Sequence, residues 1–67
     1  MTVIELLNRI HLGSNAIVII HLSDESDSFV KFRNKSFVVE KFYNEKVKSF
    51  DIYPGIIEIT LKNQEEL

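Results

Sequence analysis

The chain holds no cysteine, only two histidines, two glycines and a single proline in 67 residues, and each shortage closes off a class of protein. Without cysteine there is no disulfide framework to staple a small fold. His11 and His21 have no cluster of ligand-type residues around either of them, which speaks against a metal centre and against the two as a metal pair. Gly13 and Gly55 are too few and too far apart for a glycine-rich phosphate loop. The uninterrupted apolar run from Ala16 to Ile20 is far short of the roughly 20 residues that cross a bilayer. Glu5 stands among the first residues, with no basic stretch and long apolar run beside it, so no signal peptide and no membrane contact are expected, and the expected location is cytoplasmic.

What is present is the composition of a folded domain. Hydrophobic residues make up 45% of the chain and charged residues 27%, which argues against disorder. Residues 1–67 read as a single small domain with a polar tail at 63–67. A domain of this size buries only about 60% of the surface its unfolded chain exposes. Small folds therefore add a disulfide, a metal or a partner subunit. With the first two set aside, self-association is the expected route, most simply a dimer.

The segment around which the rest is organised is Ala16-Ile17-Val18-Ile19-Ile20-His21-Leu22, apolar on both faces a strand presents and so expected to be central in a sheet. Before it, Thr2-Val3-Ile4-Glu5 has the spacing of a capping box, and Val3, Leu6, Leu7 and Ile10 follow the i, i+3, i+4, i+7 stripe of a helix with one buried face. Gly13 suits the position after the helix end, near Leu12, with Arg9 and His11 at the negative pole of the dipole.

After the central strand, Ser23-Asp24-Glu25-Ser26-Asp27 reads as a loop closing a hairpin onto a strand at Ser28 to Arg33, where Val30 and Phe32 alternate with Phe29, Lys31 and Arg33. In Ser36 to Tyr43, propensity and pattern disagree. Phe37, Val38, Val39, Phe42 and Tyr43 favour strand, yet Ser36 as N-cap with Val38, Val39 and Phe42 on one stripe fits a short helix. Pro54-Gly55 then joins Val47–Tyr53 to Ile56–Leu61 as a hairpin. In it Ile57, Ile59 and Leu61 alternate with Glu58, Thr60 and Lys62, and Phe50 with Ile52 supplies the matching inward set.

The expected fold is therefore α+β, an αββαββ two-layer domain with an antiparallel four-stranded sheet and two helices on one face. The alternative is an N-terminal helix followed by a five-stranded β-meander, with Asn34-Lys35 and Asn44-Glu45 as hairpin turns.

Thr2-Val3-Ile4-Glu5-Leu6-Leu7 at the start, Glu45-Lys46-Val47-Lys48-Ser49-Phe50-Asp51-Ile52 further on, and a final alternating strand resemble small uncharacterised proteins encoded by phages and prophages of Gram-positive bacteria. The likeness extends over most of the chain. It implies a phage or prophage accessory protein and a helix at Ser36 to Tyr43, and it carries no activity and no site residue.

Chemistry-bearing constellations are sparse. His21, Ser23 and Asp24 invite a triad reading, but a third member must orient the base from its far side, which an adjacent loop aspartate does not do. Asp24, Glu25 and Asp27 lack the alternating ligands and central glycine of a calcium loop, and Lys35 holds the place where its last glutamate belongs. No catalytic, cofactor-binding or metal-binding residue is assigned, no cofactor or small-molecule substrate is expected, and the chain is read as a non-enzyme.

Charge is more informative. From Lys31 to Lys48 there are six basic residues against two acids, a local balance of +4 within a net charge of −2. Lys31, Arg33, Lys35, Lys46 and Lys48, with aromatics nearby, could contact nucleic acid. The leading expectation is different: a non-enzymatic protein-interaction module acting on a host or phage protein or on a second copy. If the helices cover Val30, Phe32, Phe50, Ile52, Ile57, Ile59 and Leu61, then the other face shows Phe29, Val47, Tyr53 and Ile56, joined by Ile17 and Ile19 or by Val18 and Ile20.

Overall fold

Every backbone amide at the start of the chain's helix has a partner, and the partners fix where that helix lies. Helix α1 runs Val3–Arg9 with Thr2 as N-cap. The Glu5 amide donates to Thr2 Oγ1 at 3.3 Å, while the Glu5 carboxylate accepts from the Thr2 amide at 3.1 Å and from its hydroxyl at 2.9 Å. The amides of Val3 and Ile4 donate to the carbonyls of Glu45 and Tyr43, so with Thr2 and Glu5 all four donors that a helix N-terminus leaves open are met, and the Leu6 amide makes the first helical bond, to the Thr2 carbonyl. In the computed structural model, which describes residues 1–10, 15–23 and 27–62, α1 ends at Arg9 because Ile10 is extended. That is earlier than Leu12. Gly13 and His11, assigned to the helix end, lie outside the described residues, as do Asp24, Glu25 and the tail at 63–67.

The capping box makes a definite expectation. The Thr2 amide first, and then its hydroxyl, hold the exposed Glu5 carboxyl below the usual carboxylate range. A depressed folded-state pKa stabilises above the unfolded value, and this contribution is lost as pH falls through the folded one. Thr2→Ala removes a cap side chain typically worth about 1 kcal/mol. Urea unfolding of the variant should therefore show a lower midpoint at pH 7 and a smaller loss on acidification than the parent shows. Equal midpoints at neutral pH would mean that the cap carries no weight.

The sheet has four strands: β1 (Ile17–His21), β2 (Phe29–Phe32), β3 (Val47–Tyr53) and β4 (Ile56–Leu61), in the order β2-β1-β4-β3. Both expected hairpins are there, β1·β2 and β3·β4, each antiparallel. Gly55 takes φ 75° in the tight Pro54-Gly55 turn, a value that L-residues avoid and glycine adopts freely. The hairpins meet through a parallel β1·β4 pair, so the sheet is mixed and not antiparallel. This follows from β2 and β3 running in the same direction at opposite edges. The chain must pass along one face of the sheet between them, and such a crossover takes a dozen or more residues, here the segment between Phe32 and Val47.

That crossover is neither the expected second α-helix nor a strand. It forms two 3₁₀ turns, Lys35–Phe37 and Glu40–Phe42, separated by extended Val38 and Val39. A pair of β-branched residues resists helical backbone. The first turn is capped by Asn34, whose Oδ1 accepts from the Ser36 amide at 2.8 Å, in place of the expected Ser36 cap. Val38 and Phe42 are buried while Val39 is exposed, so the expected three-residue stripe is reduced to two. Among the described residues the layer over the sheet is one helix and two short turns, and the domain is α+β.

The core lies between that layer and one face of the sheet. Val3, Leu6 and Leu7 of α1 and Val38 and Phe42 of the crossover close on Val18, Ile20, Ile57, Ile59, Leu61 and Val47. Val30 and Phe32 pack at its margin, with the Phe32 and Phe42 rings edge to face at 6.0 Å.

Candidate interaction face

Cross-strand register sorts the sheet residues into rows. On the covered face, Phe32, Val18, Ile57 and Ile52 form one row and Val30, Ile20, Ile59 and Phe50 the next. On the open face, Lys31, Ile19, Glu58 and Asp51 form the middle row, with Phe29, His21, Thr60 and Ser49 on one side of it. Ile17, Ile56 and Tyr53 form a third row on the other side. Period-2 alternation thus resolves the central strand: Val18 and Ile20 face the core and are fully buried, and Ile17 and Ile19 face outward, half-buried only by their neighbours.

Of the residues expected on this face, Ile17, Ile19, Phe29, Tyr53 and Ile56 are brought together on it. Val47 is not. The register of β3 against β4 shifts between Val47 and Ser49, where two steps on β3 match one on β4, so Val47 pairs with Leu61 and is buried in the core. An extra residue in one strand inverts the alternation beyond it. Phe29 and Tyr53, at the two edges, are about half exposed, at 54% and 49%.

The charges on the open face are segregated by edge. Lys31 stands on β2, whereas Glu58 and Asp51 stand on β4 and β3, directly opposite each other in register. Like charges so placed repel. The Glu58 carboxylate lies 3.9 Å from His21 Nε2, both side chains about one third exposed, a contact that is ionic only when the imidazole is protonated. The His21 ring also leans on Phe29 at 5.8 Å between centroids. Ser23 is half-buried beyond the strand end, and Asp24, the third member of the triad reading, lies outside the described residues. Among the described residues no three His, Asp or Glu side chains converge as metal ligands do. No helix there is long and apolar enough to cross a membrane.

The basic stretch does not fold into one stripe. Lys31 lies on edge strand β2, Arg33 just past its end, and Lys35 in the first 3₁₀ turn. Lys48 belongs to β3 at the opposite edge, and Lys46 precedes that strand in a bridge with Thr2. The strands β1 and β4 intervene, a separation of roughly 14 Å at normal strand spacing, and the row between carries Glu58 and Asp51.

Phe50 and Ile52, expected as inward residues, do share the covered face with Ile59 and Ile57, but they are 39% and 54% exposed, whereas Val47 at the start of the same strand is buried in the core. That uncovered strip was missed in the alternation pattern. The signal for it was the brevity of the layer itself: α1 has seven residues, and the crossover adds single turns.

Comparison of the chain with protein-family models, with curated proteins and with solved structures gives no match.

Proposed function

We propose that the chain is a non-enzymatic protein-interaction module whose contact surface is the open face of its sheet. The observation that carries this reading is an apolar cluster on the open face with charged groups set beside it. Ile17, Ile19 and Ile56 lie half-exposed on the two inner strands, with Phe29 and Tyr53 at the edges; Lys31 and Asp51 stand on the edge strands, and Glu58 stands on β4 beside Ile19. α1, Val38 and the second 3₁₀ turn pack on the other face. Contiguous apolar surface with a polar rim is how protein contact sites are built. The likeness to phage and prophage proteins supports an accessory role there, exercised by occupying a host or phage protein. The division of the lysines between two sheet edges favours protein over nucleic acid.

Photo-crosslinking tests the reading. With p-benzoylphenylalanine in place of Ile19, irradiation of cells making the protein should yield discrete protein adducts. The same residue in place of Glu40, on an exposed turn of the opposite layer, should not yield them. Adducts that are absent from position 19, or identical from both positions, would overturn the assignment of the face.

A further inference from the structure

We infer that the open face is a self-complementary interface and that its partner is a second copy of this chain, an inference that rests on the protein-contact reading above. The observation behind it is the order of charges along one row: Lys31 at the β2 edge, then Ile19, then Glu58, then Asp51 at the β3 edge. Two sheets packed face to face keep their strand directions within about 30° of each other, some 10 Å apart. A two-fold axis can achieve that in two ways. An axis across the strands sets β2 over β2 and β3 over β3, so Lys31 meets Lys31 of the second copy and Asp51 meets its Asp51. An axis along the strands sets β2 over β3 and β1 over β4. Lys31 of each copy then stands over Asp51 of the other, twice per dimer.

The second arrangement also answers a defect of the single chain. Asp51 and Glu58 are directly opposed like charges, and the cation supplied by the second copy comes to rest beside both. In the third row Ile17 of each copy falls over Ile56 of the other, so that four isoleucines close on one another toward one end of the face, while in the middle row Ile19 of each copy falls over Glu58 of the other. Glu58 lies diagonal to the imidazole of its own His21 and, across the interface, one row away from that of the second copy, which gives the carboxylate a polar neighbour on each side. An isologous contact of this kind closes on itself and leaves no further copy to add.

Charge exchange distinguishes this geometry from any other. Lys31 and Asp51 are both exposed, so Lys31→Asp and Asp51→Lys should fold. The latter also replaces the like-charge pair with Glu58 by an opposite one, and far-UV circular dichroism checks both. Sedimentation equilibrium should show the native chain dimerising in the roughly micromolar to millimolar range, because the face supplies fewer residues than the 20–30 of a standard interface. Each variant alone turns two attractive pairs into two repulsive ones and should dimerise about tenfold more weakly. An equimolar mixture of the two should recover native affinity, since in the mixed dimer both pairs are again opposite in sign. A native chain that stays monomeric throughout, or a mixture no tighter than its components, overturns the inference. If that happens while position 19 still crosslinks to a different protein, the second copy is wrong and the contact face stands.

Discussion

Val18→Glu should leave no folded protein at 25 °C, whereas Ile17→Glu, one residue away, should fold. The two positions are consecutive isoleucine-like sites in the same strand, yet Val18 is fully buried between α1 and the sheet and Ile17 is half-exposed on the open face. Burying an ionised carboxylate without a partner costs several kcal/mol even after relaxation. A core of this size seldom supplies more than about 3–5 kcal/mol in all. Ile17 has another attachment that the substitution spares, because its amide donates to the Gly55 carbonyl at 2.8 Å whatever the side chain. Circular dichroism with a thermal melt decides the matter. A folded Val18→Glu or an unfolded Ile17→Glu would reverse the assignment of faces, and with it the site built on them.

Ile57→Ala and Ile52→Ala form the second contrast, and it separates pairing from packing. The two residues are directly opposed in the β3·β4 register and share the covered face, but Ile57 is fully buried and Ile52 is 54% exposed. Truncating a buried isoleucine loses its transfer free energy and leaves a cavity, typically about 2–5 kcal/mol. At Ile52 only about half of the surface leaves water on folding and no closed cavity would be left, so the expected cost is about 1 kcal/mol or less. Denaturant midpoints at a common m-value give both numbers. Comparable losses would show that the helical layer extends over Ile52.

The features behind these contrasts differ in how far they are legible in the sequence. The capping box of Thr2 and Glu5 was legible because both partners lie within one turn and answer only to each other. The Pro54-Gly55 hairpin was legible for the same local reason. Ile17, Ile19, Phe29, Tyr53 and Ile56 could be grouped because alternation in a strand has a period of two and needs no distant information. Val47 was lost because a single extra residue in β3 inverts that alternation, and nothing in Lys46-Val47-Lys48 announces the shift. Residues 36–43 read as a helix because Val38 and Phe42 have helical spacing, while the Val38-Val39 pair between the two 3₁₀ turns keeps the backbone extended. The parallel β1·β4 pair was out of reach for another reason. It joins strands with two others between them in sequence, and no local pattern encodes such a pairing.

That pairing has a consequence for the order in which the molecule can come together. β1·β2 and β3·β4 are neighbours in sequence, and contacts of that kind close in about 1–10 μs. The ladder from Ile17–His21 to Ile56–Thr60 needs the whole intervening chain to be drawn into place before any of its hydrogen bonds form. Loop-closure entropy falls mainly on that step. On a ribosome, both hairpins' worth of sequence must have emerged before Val18, Ile20, Ile57 and Ile59 can share one core. Until then β1 carries Ile17 to Ile20 with neither of its faces covered, and the time spent in that condition is when the chain is most exposed to wrong partners.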